Sequence, residues 1–96
     1  MKDYLKIYKQ LLEENAFNDL NTVLIVERAV KSNDLSTVYF ISRSIYARSN
    51  DERLKMRLTN FLVRNGFEKI VPFNYLLKIN ENAEFIYNID SYDIKY

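Results

Sequence analysis

Arg53, Arg57, Asn60 and Arg64 are separated by four, three and four residues, the spacing that brings side chains onto one stripe of a helix advancing about 100° per residue. Three guanidinium groups and an amide on one stripe are the chemistry of a polyanion-binding helix. Arginine contacts phosphate oxygens or the guanine edge bidentately, and asparagine pairs with adenine, so the stripe carries what a major-groove helix requires. An ordinary solvated face reads the same way, because about a quarter of the residues of any soluble domain are charged. Clustering of charge favours the first reading. Between Arg43 and Arg64 stand six basic residues (Arg43, Arg48, Arg53, Lys55, Arg57, Arg64) and two acidic ones (Asp51, Glu52), a balance of +4 that leaves −3 for the rest of a chain of net charge +1. Such polarity suits a basic face aimed at DNA or at an acidic protein surface. Arg53, Arg57, Asn60 and Arg64 are the expected groove contacts, with Arg43, Arg48 and Lys55 on phosphates.

Catalysis has little support. There is no histidine and no cysteine, so the usual neutral-pH proton carrier, the strongest side-chain nucleophile, disulfides and zinc sites of the cysteine type are all missing. Glu13-Glu14 and Asp51-Glu52 are sequential pairs that diverge on a helix and form neither a dyad nor a metal clamp. One glycine is too few for a phosphate-cradling loop. No enzyme, metal or cofactor is expected.

The elements that must position the stripe follow from length and periodicity. Ninety-six residues, 48% of them apolar, suffice for one domain, 1–96, with one core. The first residues lack a signal peptide's apolar stretch, and the longest aliphatic run, Val23 to Val26, is too short to span a bilayer. A soluble cytoplasmic protein without a membrane partner is expected.

Tyr4, Leu5, Tyr8, Leu11 and Leu12 recur at helical spacing and predict a first helix over 3–14, broken at Asn15-Ala16-Phe17-Asn18. A second helix over 19–31 carries Leu20, Val23, Leu24 and Val30 on one side, widened by Val26 and Ala29. Ser32-Asn33-Asp34 is a turn whose short polar side chains cap a third helix over 34–48, with Leu35, Val38, Tyr39, Ser42, Ile45 and Tyr46 on its inner face. Ser49-Asn50-Asp51 repeats that chemistry and starts a fourth helix over 50–64, buried along Leu54, Leu58, Phe61 and Leu62. Gly66 suits the left-handed position after its end. Beyond it the period changes. Tyr75, Leu77 and Ile79 alternate, as do Phe85, Tyr87 and Ile89, so a β-hairpin over 73–89 with Asn80-Glu81-Asn82 as its connection is expected. A short strand from Phe67 to Val71 would end at Pro72, which cannot donate to a sheet ladder.

Helices, a glycine stop and a hairpin are the order of a winged helix-turn-helix domain, and "STVYFISRSIYARSNDERLKMRLTNFLVRNGFEKI" resembles the core segment of that family. The resemblance, running from Ser36 to Ile89, implies an α+β fold of four helices followed by a C-terminal hairpin. Ser36 to Tyr46 would be the first helix of the motif, Asp51 to Arg64 the recognition helix, and Asn65-Gly66-Phe67 the start of the wing. It also implies a DNA-binding transcriptional regulator, with homodimerisation doubling the base contacts of a small module. Glu81 and Glu84 at the wing tip would repel phosphates, so the wing itself is not expected to read DNA.

A second reading is a protein-binding inhibitor or adaptor without catalysis, of the kind that phages and mobile elements direct at a host protein. Met56 and Val63 flank the arginine stripe away from the main apolar face and would form an interface with Tyr75 and Tyr87. Tyr4, Tyr8, Tyr39 and Tyr46 lie on the apolar stripes and are expected in the core, their hydroxyls at its rim.

Overall fold

The computed structural model describes residues 4–81. Five α-helices follow one another: α1 (Tyr4–Glu13), α2 (Leu20–Lys31), α3 (Leu35–Arg48), α4 (Glu52–Arg64) and α5 (Phe73–Glu81). Two 3₁₀ turns, Ala16–Asn18 and Glu68–Ile70, lie between α1 and α2 and between α4 and α5.

Three aspartates set the starts of the central helices. Asp19 accepts from the Asn21 amide at 2.9 Å, Asp34 from the Thr37 amide at 3.4 Å and hydroxyl at 2.8 Å, and Asp51 from the Leu54 amide at 3.1 Å. Each satisfies a donor that the first turn of a helix leaves without a partner. Helix ends use the left-handed region instead. Asn15 and Asn33 have φ of 51° and 59° and Gly66 has φ of 83°. At Gly66 the Phe67 amide donates to the Leu62 carbonyl at 2.8 Å and the Gly66 amide to Val63 at 3.3 Å, the paired bonds of a Schellman motif.

The core is where α2, α3 and α4 meet, with Val23, Val26, Val38, Ile41, Ile45, Leu58 and Leu62 wholly buried. On α1, Tyr8 packs edge-on to Phe40 of α3 and tilted against Phe17, at ring separations of 5.0 and 6.0 Å. Asn18 ties the first 3₁₀ turn to the α3–α4 turn, its Oδ1 accepting from the Ser49 hydroxyl at 2.9 Å and the Asn50 amide at 2.8 Å. Between α3 and α4, the Tyr46 and Thr59 hydroxyls lie 2.6 Å apart, and Thr59 also donates to the Lys55 carbonyl at 2.8 Å. Those bonds fix where the turn holds α4 against α3.

The expected α+β architecture is corrected here: the described residues are all-helical and contain no strand. Phe67 to Val71 forms a 3₁₀ turn instead of a short strand, because Phe67 is drawn into the end of α4 and its own carbonyl then accepts from Ile70 at 3.0 Å. The first arm of the expected hairpin is α5, and Asn80 and Glu81 close that helix instead of forming a turn. The second arm, including Phe85, Tyr87 and Ile89, lies outside the described residues. Two physical causes overturn the hairpin. Pro72 stands immediately before α5, its carbonyl accepting from Tyr75 at 3.0 Å and Leu76 at 3.2 Å, a place where the missing N–H breaks no intrahelical bond. Tyr75 and Lys78 then reach one partner from a single helical face: Glu52 bonds the Tyr75 hydroxyl at 3.1 and 3.0 Å and the Lys78 ammonium at 3.0 Å.

Candidate nucleic-acid interface

Helix α4 is buried along one face and carries its arginines on the other. Leu54, Lys55, Leu58, Thr59 and Leu62 are buried, which aims Arg53, Arg57 and Arg64 away from the core, all three exposed, with Asn60 half-exposed among them. Eleven residue steps separate its first and last members, so the stripe is about 16 Å long at 1.5 Å per residue. It is not wholly uncommitted. Arg57 approaches Glu27 of α2 at 3.7 Å, a surface pair of the kind that contributes little and yields to competing anions.

The remaining basic residues fall elsewhere. Arg48, at the end of α3, donates through Nε to the Tyr8 hydroxyl at 2.9 Å and lies 5.5 Å from that ring's centre. Arg43 is exposed on α3 and lines a groove with Lys69 to which no residue of the α4 stripe contributes. Lys55 is 9% exposed, 3.3 Å from Glu52 and 5.8 Å from the centre of the Tyr75 ring. Burial opposes its charge, yet Tyr75 and Glu52 beside it hold its pKa above the ordinary 10.5. It ties α4 to α5, and a phosphate would have to displace Glu52 to reach it.

Glu52 is the electrostatic centre of that junction. Lys78 first, then Tyr75 and Lys55, hold its carboxyl at about 2 against an ordinary 4.5. The acidic start of α4 is thereby neutralised by neighbouring ammonium groups, which moderates its repulsion of an approaching polyanion.

The residues expected at a protein interface are placed differently from one another. Met56 and Val63 are partly buried and pack against the core, and Tyr75 is 6% exposed, its ring 5.2 Å from that of Tyr46. Tyr87 lies outside the described residues. One exposed apolar pair was not singled out by sequence reasoning: Phe73 is 73% and Leu77 41% exposed, one turn apart on α5. The change of period assigned to that segment concealed their common face.

Comparisons with protein-family models, curated proteins and solved structures find no match to this chain. Its function must be argued from its own surface. Among the described residues no group of carboxylates is placed to hold a metal ion, and no helix is long and apolar enough to cross a membrane.

Proposed function

We propose that this chain is a small non-enzymatic DNA-binding regulator that presents α4 to the major groove, acting as a homodimer. The observation that carries this reading is the outward stripe Arg53, Arg57, Asn60 and Arg64, opposite the buried face of α4. Helix α3, the turn Ser49-Asn50-Asp51 and α4 supply the helix-turn-helix element, anchored by the Asp51 cap and the Tyr46–Thr59 bond. A B-form major groove admits an α-helix, and arginine and asparagine are its commonest readers of guanine and adenine. Arg43 and Arg48, both exposed on α3, would meet phosphates flanking the groove. Titration of the chain into a pool of labelled random duplexes tests the reading. Binding at about 50 mM salt that weakens steeply as salt rises is expected, and absence of binding there would exclude it.

The second reading, an adaptor or inhibitor that binds a protein, is favoured by one observation: Phe73 and Leu77 leave an apolar edge on α5. On this reading Phe73→Asp and Leu77→Asp each release a protein partner while the helical circular dichroism persists. Met56 and Val63 are poor probes of it, since charge at either reaches the core packing.

A further inference from the structure

A groove of about 420 Å³ runs between α3 and the turn before α5, lined by Arg43, Tyr46, Ala47, Lys69, Ile70 and Pro72. Arg43 and Lys69 are exposed cations on different elements, and among the described residues no carboxylate lines the space between them. Its remaining lining is apolar. Among the described residues Tyr46 contributes the only other polar side-chain group, and its hydroxyl is already bonded to Thr59 at 2.6 Å.

We propose that this groove docks an acidic peptide segment of a partner protein. One apolar side chain of the peptide, Leu or Phe in size, rests on Ala47, Ile70 and Pro72 beside the Tyr46 ring, and flanking Asp or Glu carboxylates pair with Arg43 and Lys69. Charge complementarity and the lining together select this ligand. Phosphates would pair with the same two cations but leave the apolar floor uncovered. A nucleobase would find donors in Arg43 and Lys69 but, among the described residues, no side-chain acceptor other than the Tyr46 hydroxyl already bonded to Thr59. An acidic peptide satisfies both parts, in the way apolar anchors and charged rims divide affinity and specificity at interfaces. The groove shares no residue with the α4 stripe; Arg43 alone is common to it and the phosphate contacts proposed above, so Lys69 and the apolar floor distinguish peptide docking from DNA binding.

A displayed library of random peptides panned against the full chain tests the proposal. Enrichment of peptides with an apolar residue between acidic ones is expected, and a synthetic consensus peptide should bind by fluorescence anisotropy. Arg43→Glu and Lys69→Glu should each weaken that binding at least about tenfold, since like charges placed in contact are strongly unfavourable. Ala47→Trp, which fills the groove without altering its charge, should abolish it, whereas Arg53→Glu should leave it unchanged. Both charge reversals are at exposed positions, and each variant should keep the native far-UV circular dichroism. The proposal is overturned if no acidic consensus emerges, or if Arg43→Glu and Lys69→Glu bind the consensus peptide as the native chain does. It is equally overturned if those two reversals remove duplex DNA binding and leave peptide binding intact.

Discussion

Tyr75 donates its hydroxyl proton across the α4–α5 junction to the Glu52 carboxylate, 3.1 Å from Oε1 and 3.0 Å from Oε2. Lys78, one turn further along α5, meets the same carboxylate at 3.0 Å and lies 4.7 Å from the centre of the Tyr75 ring. A nine-residue helix is too short to be stable alone; among its described residues Tyr75 is buried and Leu76 packs, partly buried, against the core. The Glu52 carboxylate thus adds two polar contacts to the packing of Tyr75 and Leu76 in attaching α5.

These contacts have a pH signature. Because Glu52 is held at about 2 against 4.5, its contribution is fully present above about pH 4.5 and is lost as pH falls toward 2. Hydrogen exchange of the Tyr75 to Lys78 amides should accelerate over that interval in the native chain. In Glu52→Gln those amides should exchange fast already at neutral pH, with little further change on acidification. Equal protection of the two proteins at neutral pH would show that packing alone holds α5.

Tyr46 tests the α3–α4 crossing. Tyr46→Phe removes its bond to Thr59 but leaves Thr59 its bond to the Lys55 carbonyl, so a loss of about 1 kcal/mol in urea unfolding is expected. Burial pushes the Tyr46 phenol well above its ordinary 10.0, against the smaller opposing effect of Thr59. A raised folded-state pKa means that the contribution is complete below about pH 10 and declines as pH rises beyond it. The native chain should lose more stability than Tyr46→Phe when moved from neutral pH to above pH 10.

Ser42 is wholly buried on α3 and its Oγ has no hydrogen-bond partner. Alanine removes that unsatisfied group and has the better helix propensity. Ser42→Ala should raise stability by about 0.5–1 kcal/mol, read as a higher urea midpoint at unchanged slope. A lower midpoint would mean that the hydroxyl is satisfied in solution.

At Gly66 the strain is confined to the backbone. Its φ is 83°, and a Cβ added there would meet nothing within 4 Å, so the cost of a side chain comes from the left-handed conformation and not from a clash. Gly66→Ala should destabilise by about 1–2 kcal/mol, Gly66→Val by at least as much, and Gly66→Asn by less, since asparagine tolerates that region. Thermal unfolding of the three variants orders them.

How much of this was legible in the sequence differs from element to element. Asp34 and Asp51 could be read as caps because a short acceptor just before an apolar repeat has few other uses, and Gly66 could be read as a stop because it alone lacks a Cβ. Periodicity was coarser about depth. Leu20, Leu35 and Tyr39, on the expected inner stripes, are 47%, 45% and 47% exposed, while Thr22, Thr37 and Thr59 are buried. Positions at the edge of a stripe are settled by where neighbouring helices cross, which a single helix's pattern does not encode. The segment from Phe73 to Ile79 fits a period of two and a period of 3.6 equally well, an ambiguity common to short apolar runs. Its resolution as α5 comes from Glu52, a tertiary partner 23 residues from Tyr75. Lys55, expected among the phosphate contacts, is a similar case: charge alone gives no sign that Glu52 and Tyr75 enclose it.

The most direct test of DNA binding by α4 is the salt dependence of duplex affinity, measured by anisotropy on the native chain, Arg53→Gln, Arg64→Gln and Lys55→Gln. If α4 enters the groove, the slope of log affinity against log salt should become shallower by about one for each stripe arginine that contacts a phosphate. Lys55→Gln, at a buried position paired with Glu52, should leave the slope as it is. Native-like slopes in both arginine variants, or no duplex binding by the native chain at about 50 mM salt, would contradict the assignment of α4 as a DNA-binding helix.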